Sequence, residues 1–357
     1  MIKLLIVDDS VLMRRQLMTV FQAEKDFEIR QARNGDEAVR ENRGFRPDVV
    51  TLDINMPEMD GLTALSLIMA ERPVAVVMVS SLTEQGALAT FEALNLGAVD
   101  YITKPGGTIS LSIERVSEEL VAKVRSAARA KPRGQGAKVS GAVRRMREER
   151  AQAAAASSAL AATRGSGDGL VVIGASTGGP RALEIVLSGL PAHFPWPVLV
   201  AQHMPAAFTR AFAERLDQCC ALSVVEAGSA APVVPGRVYI GKGGADTILA
   251  SRAGKLTILP APENAQYLWH PSVELLGRSV LQHYDAARVI AVLLTGMGYD
   301  GSDAFTEIKK RGGRTIAESE DSAVVYGMPA ELVDKGGASL VMSVEKIPGQ
   351  LIAWAAR

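Results

Sequence analysis

Leu170-Val171-Val172-Ile173-Gly174-Ala175-Ser176-Thr177-Gly178-Gly179-Pro180 is the stretch on which the fold turns. An apolar run gives way to a glycine-rich turn and then to a segment of helical period over Arg181–Leu190, the order of a strand, a tight turn and a helix N-terminus. Gly174 and Gly178 flank Ser176 at the Gly-x-Ser-x-Gly spacing, which lets a sharp turn project the hydroxyl while backbone amides face a developing oxyanion. A glycine loop cradling a phosphate at a helix N-terminus fits equally well on this stretch alone. The stretch holds neither a P-loop Lys-Ser/Thr pair nor a Gly-x-Gly-x-x-Gly.

Working outward, strands are expected at Leu170–Ile173, Val198–Gln202, Val238–Ile240, Val289–Leu294 and Arg314–Ala317, with a hairpin over Ile248–Leu259 turning at Gly254. Helical segments lie between them around Phe208–Leu216, Val273–His283 and Ser302–Lys310. The alternation is that of an α/β domain, and the hairpin argues against a wholly parallel sheet. Of the four histidines, His203 ends the strand Val198–Gln202 and so shares a carboxyl edge with Ser176. His193, His270 and His283 fall in loops or on helices, where a surface role is the default. Asp300 follows Val289–Leu294 in a glycine-rich turn that can bring it beside His203, where it would orient the imidazole as His203 takes the Ser176 proton.

A rival reading exists for that turn: Gly296, Gly298 and Gly301 have dinucleotide-fingerprint spacing, with Glu318 where a ribose-binding acid could sit. It leaves Ser176 and His203 unexplained. The chain order Ser, His, Asp differs from those of α/β-hydrolases, chymotrypsin-like and subtilisin-like enzymes, so none of those folds is assumed.

The N-terminal part alternates in the same way. Apolar runs at Leu4–Val7, Val49–Ile54, Val74–Val79 and Val99–Ile102 separate helical segments, with helix stops at Gly44 and Gly97 and a last helix near Leu111–Val124. In a doubly wound sheet the carboxyl strand ends share one crevice, which brings together Asp8, Asp9, Asp53 and Lys104. Clustered carboxylates repel one another, and a hard divalent cation relieves that cost, so Mg²⁺ is implied. Asp53 beside such an ion is a candidate nucleophile toward phosphorus, with Lys104 offsetting charge on the phosphoryl oxygens. Singly these residues have blander explanations, such as Ser10 capping the following helix. Their joint occurrence favours the site.

A chain of 357 residues exceeds the ~100–200 of one ordinary domain. Its 48% hydrophobic and 22% charged residues describe a globular protein, and zero formal net charge gives no general argument for nucleic acid or membrane as partner. From Lys123 to Arg147 there are nine Lys or Arg and no Asp or Glu, followed by an alanine-rich run to Gly169. That composition reads as a linker, and the lack of interleaved aromatics argues against a nucleic-acid tail. The expected domains are 1–125, a linker over 126–168, and 169–357. Cys219 and Cys220 are adjacent, where a disulfide would be strained, so both are expected as thiols. Absence of a signal peptide or a membrane-length apolar run fits a cytoplasmic protein.

Val7-Asp8-Asp9-Ser10, Leu52-Asp53-Ile54-Asn55-Met56-Pro57, Ser80-Ser81 and Tyr101-Ile102-Thr103-Lys104-Pro105 resemble response-regulator receiver domains over residues 1 to about 125. The resemblance implies a doubly wound (βα)5 fold with Asp53 as phospho-acceptor. It further implies Asp9, the Asp53 carboxylate and the Asn55 carbonyl on Mg²⁺, Asp8 supporting through water, Ser80 bonding the phosphoryl group and Tyr101 as a switching aromatic. The Ser176, His203 and Asp300 segments, with Ala201–Pro205, His270-Pro271-Ser272-Val273-Glu274 and Val325–Pro329, closely resemble the catalytic domain of the chemotaxis protein-glutamate methylesterase family, CheB, over about 169–350.

That second resemblance implies an α/β domain with a mostly parallel sheet and a β-hairpin. It also implies Ser176 as nucleophile, His203 as base, Asp300 as orienting acid, the Met297 amide as oxyanion support helped by Thr177, and no cofactor for the esterase reaction. The implied activity is demethylation of glutamate methyl esters, and deamidation of specific glutamines, on chemoreceptor cytoplasmic helices, with a CheA-type histidine kinase as phosphodonor and no insertion in the membrane. Three positions depart from the pattern. Asp246 stands where a histidine is usual, His270 where an arginine is common, and Glu318 where glutamine is frequent.

Overall fold

The structure, a computed structural model, describes residues 1–81, 83–104, 111–130 and 169–356. These residues form two compact units. Most of the expected linker, from residue 131 to 168, lies outside the described residues.

The first unit carries five parallel strands, β1 (Ile2–Val7), β2 (Phe27–Ala32), β3 (Val49–Asp53), β4 (Ala75–Ser80) and β5 (Asp100–Thr103), in the order β2-β1-β3-β4-β5. Helices α1 (Val11–Ala23), α2 (Gly35–Gly44), α3 (Gly61–Glu71), α4 (Glu84–Leu96) and α5 (Leu111–Arg129) alternate with them. β3 and β4 are buried along their whole length, as the interior strands of a sheet covered on both faces must be. β2 is an edge strand with only Ala32 buried, which is why no apolar run announces it. Ser10, Asn34, Asp60 and Thr83 cap α1 to α4, each side chain accepting an amide N–H three residues on. Ser10 therefore caps a helix and also belongs to the acidic segment. α5 continues to Arg129, with Val124 and Ala127 buried.

In the second unit β6 (Leu170–Ala175), α6 (Gly179–Ser188), β7 (Val198–Gln202), α7 (Ala206–Cys219), β8 (Ser223–Ala227), β9 (Ala231–Pro232) and β10 (Arg237–Gly241) come first. The hairpin β11 (Asp246–Arg252) and β12 (Lys255–Ala261) turns at Ala253-Gly254, and leads to α8 (Val273–His283). Then follow β13 (Val289–Leu293), α9 (Ser302–Lys310), β14 (Arg314–Glu318), α10 (Met328–Asp334), β15 (Leu340–Met342) and α11 (Ile347–Ala355). Seven strands make a parallel sheet in the order β15-β14-β13-β6-β7-β10-β8. The hairpin pairs with β9 in a separate antiparallel sheet, so the main sheet keeps its parallel order.

Residues of β6, β7 and β13 pack with Val273, Leu276, Phe305 and Ile308 of the covering helices in one apolar core. Because β6 starts this unit yet lies inside its sheet, the chain winds to one side through β7 and later to the other through β13. Reversal of winding opens a crevice beyond the carboxyl ends of those strands. Cys219 and Cys220 are free thiols, Cys220 buried. No helix among the described residues is long and apolar enough to cross a membrane.

Candidate active site and acidic pocket

Ser176 follows β6, His203 follows β7 and Asp300 lies in the turn after β13, three strands that are neighbours in the sheet. Ala175 pairs with Gln202 in the β6–β7 register, so Ser176 and His203 occupy the next position on adjoining strands. Backbone bonds carry the ladder past the strand ends: the His203 amide donates to Ala175 O at 3.0 Å, and the Ser176 amide to Thr295 O at 3.0 Å. The turn at Ser176 is tight, with the Gly179 amide donating to Ser176 O at 2.8 Å. Gly178 has φ +77°, and a Cβ there would lie 2.6 Å from Val324 Cβ, so only glycine suits the position.

His203 Nε2 lies 2.8 Å from Asp300 Oδ2. An ionised carboxylate only accepts, so this bond puts the proton on Nε2 and leaves Nδ1 with a lone pair. Nδ1 is buried with no hydrogen-bond partner among the described residues. A buried ring nitrogen with a free lone pair, one strand over from a serine, is a group that can accept a proton.

Asp300 is anchored by more than the imidazole. It sits at the N-terminus of α8 and accepts from Ser272 Oγ at 3.0 Å, the Val273 amide at 2.7 Å and the Glu274 amide at 2.9 Å. Burial alone would raise its pKa, but the His203 bond and charge and the two amides outweigh it and hold the carboxyl below the ordinary carboxylate range. Thr177 is buried, and Met297 is partly exposed in the turn after β13. That turn is braced at Gly296, whose amide donates to Val325 O at 3.0 Å and whose carbonyl accepts from the Met328 amide at 2.8 Å.

The dinucleotide reading of this turn fails on its acid. Glu318 is buried and faces its own chain, accepting from the Thr295 amide and Ser322 Oγ at 2.8 Å each.

One expectation is corrected here. His270 has no surface role: its Nδ1 lies 3.0 Å from Oδ1 of the fully buried Asp246, and only 17% of its side chain is accessible. Two departures from the family pattern are thus hydrogen-bond partners of each other. Trp269, which sequence reasoning missed, stacks on His203 with ring centroids 5.5 Å apart and planes at 4°.

In the first unit Asp8 and Asp9 follow β1, Asp53 ends β3, Ser80 ends β4 and Lys104 follows β5, all at one edge. Carboxylate oxygens of Asp8, Asp9 and Asp53 lie within 4.8 Å of one another. Three hard oxygen donors in that compass fit Mg²⁺. Lys104 Nζ is 2.7 Å from Asp53 and 3.1 Å from Asp8. Burial pushes the Asp53 carboxyl up, with the Asp8 charge adding to it and Lys104 opposing it. Beneath, Arg14 donates to the carbonyls of Asp8 and Asp9 at 2.7 and 3.0 Å and so fixes the acidic turn. Asn55 is exposed beside Asp53, Ser80 donates to Gly86 O at 3.2 Å, and the buried Tyr101 ring lies 5.2 Å from Lys123 Nζ.

The sequence profile described as CheB methylesterase matches residues 171–351, and that of the response regulator receiver domain matches residues 4–113. A protein-glutamate methylesterase/protein-glutamine glutaminase of Rhodospirillum rubrum is 53% identical over 360 residues, covering 100% of this chain and 97% of the relative. One of Rhodopseudomonas palustris is 54% identical over 363 residues, covering 99% and 98%. The crystal structure of the Thermotoga maritima CheB methylesterase catalytic domain is 39% identical with a TM-score of 0.50, covering 52% of this chain and 98% of that one.

Proposed function

This chain belongs to the CheB methylesterase family and carries a response regulator receiver domain, and from that premise we propose that it is a phosphorylation-activated protein-glutamate methylesterase and protein-glutamine glutaminase acting on chemoreceptors. The observation that carries the reading is the imidazole of His203, at the end of the strand beside that of Ser176, tied by Nε2 to Asp300 and with a buried Nδ1 that has no hydrogen-bond partner among the described residues.

In this reading Ser176 Oγ attacks the ester carbonyl as its proton passes to His203 Nδ1. Asp300 keeps the ring in the required tautomer and offsets its charge. The Met297 amide, with Thr177, supports the oxyanion. His203 returns the proton to the leaving methoxide, methanol departs, and a glutamyl ester remains on Ser176. Water activated by His203 then restores the carboxylate and the free serine. A glutamine substrate follows the same course with ammonia as leaving group.

The receiver over 1–125 is joined through the linker 126–168 to the catalytic domain 169–357. Asp53 accepts the phosphoryl group from a CheA-type histidine kinase, Lys104 offsets the phosphoryl charge, Ser80 bonds the modified group and Tyr101 reports it. Asp8, Asp9, Asp53 and the Asn55 carbonyl would hold Mg²⁺, which supplies positive charge against the phosphoryl oxygens. The substrate is a methylated cytoplasmic receptor helix, which makes the protein a cytoplasmic adaptation enzyme needing neither nucleic acid nor insertion in the membrane.

The test is methanol release from methylated receptor by wild type, Ser176→Ala and Asp53→Asn, with and without a small phosphodonor and Mg²⁺. Wild type should be active and stimulated, Ser176→Ala inactive in both conditions, and Asp53→Asn active but unstimulated. Methanol release by Ser176→Ala at the wild-type rate would remove the serine-hydrolase reading.

A further inference from the structure

The loop from Trp269 to Ser272 touches the triad from two directions. At one end Trp269 lies parallel to His203, at 5.5 Å and 4°, an offset stack against one face of the imidazole. At the other end Ser272 Oγ and the two amides that follow hold Asp300. The indole is itself held in place. Gly298, at φ +86°, lets the backbone approach so closely that a Cβ there would meet the indole at 2.7 Å, and Tyr299 packs edge-on against it at 5.3 Å and 81°.

Between the two contacts the loop is tied down by Asp246. This fully buried carboxylate accepts from His270 Nδ1 at 3.0 Å, the Ser272 amide at 2.9 Å and the Asn264 amide at 2.8 Å. A carboxylate fixed by three donors at the start of the hairpin is a rigid post, and the loop hangs from it at His270 and Ser272.

We infer that Trp269 is a positioning residue for His203, and that the Asp246–His270 pair is the anchor that keeps it there. The inference rests on the reading of Ser176, His203 and Asp300 as a triad. His203 must present Nδ1 to the serine while Nε2 stays on Asp300, and a ring with one open face could tilt out of that plane. The indole lies against that face and limits the tilt. When His203 carries the serine proton, the charged ring also lies against a π surface, a contact that favours the protonated intermediate. Positioning of this kind acts on the chemical step and not on substrate capture, which separates it from a wall that merely touches the receptor.

The experiment compares kcat and KM for methanol release from methylated receptor in full-length wild type, Trp269→Leu, Trp269→Phe, Asp246→Asn and Ser176→Ala, each checked by thermal melting. Trp269→Leu should lower kcat about tenfold with KM within about twofold, since a slightly misplaced base costs rate rather than affinity. Trp269→Phe keeps an aromatic face and should stay within about threefold of wild type. Asp246→Asn should lower kcat in the same manner by about threefold, one acceptor oxygen being lost. Wild-type kcat in Trp269→Leu, a change confined to KM, or no rescue by phenylalanine would overturn the role given to Trp269, and an unchanged kcat in Asp246→Asn would overturn the anchor. Should Trp269→Leu not fold, Trp269→Met, which fills much of the space without a ring, replaces it in the comparison with phenylalanine. Activity in Ser176→Ala would instead sink the triad reading, leaving the two failures distinct.

Discussion

Both units gather their polar groups at the carboxyl edge of a parallel sheet, yet they treat a buried carboxylate in opposite ways. In the first, Asp53 shares its crevice with Asp8 and Asp9 and has Lys104 as the nearest cation, so burial and like charge push its carboxyl up. In the second, Asp300 stands among four donors, and its carboxyl is held down although it too is buried. The lesson is about what each edge requires from outside. An acid surplus calls for a divalent cation and welcomes a phosphoryl group that brings ligands of its own. A carboxylate satisfied by its own fold needs no further cation, and in the proposed mechanism it holds one imidazole still.

The strongest way to break the comparison is at Asp300. Asp300→Asn leaves the helix amides in place but reverses what its side chain can offer the imidazole, so kcat should fall by about 10⁴. Initial rates on methylated receptor measure this, and a loss under tenfold would put Asp300 outside the triad. The first edge should respond differently: Asp53→Asn abolishes stimulation by phosphodonor while leaving the unstimulated rate. Chelating Mg²⁺ should likewise remove stimulation and spare basal methanol release, and a basal rate that fell with the metal would erase the contrast.

The smallest effect lies in stability. A carboxyl whose folded pKa is raised costs stability once ionised, so Asp53→Asn should raise the melting temperature by a few degrees at neutral pH. Wild type should gain part of that increment as pH falls from the raised value toward the ordinary carboxylate range, because there the folded state binds the extra proton. Asp300 has the opposite sign. Its stabilisation is present above the ordinary carboxylate range and lost only as pH falls through its lowered folded value, so Asp300→Asn should lower the melting temperature at neutral pH. Differential scanning calorimetry of the variants between neutral pH and the carboxylate range checks both slopes.

How far the sequence could be read follows the same division between strand ends and loops. Ser176, His203, Asp300, Asp53 and Lys104 were legible because each closes or follows an apolar run, and a parallel sheet collects such positions at one edge. β2, β8 and β15 were not, since edge strands with half-exposed faces carry no continuous apolar signal. The Asp246–His270 pair was hidden for another reason. Its members lie 24 positions apart, one opening the hairpin and one in the loop before α8, and only the packed hairpin unites them. Trp269 carried no signal by itself, because stacking on His203 depends on a close approach at Gly298 that spacing does not announce.

The most direct measurement is acid quenching of wild type during turnover of methylated receptor, followed by peptide mass analysis for a covalent acyl group. The account predicts a glutamyl ester on the peptide containing Ser176, absent from Ser176→Ala and accumulating when water attack is slowed. Steady methanol release with no adduct on that peptide, or an adduct on any other residue, would contradict it.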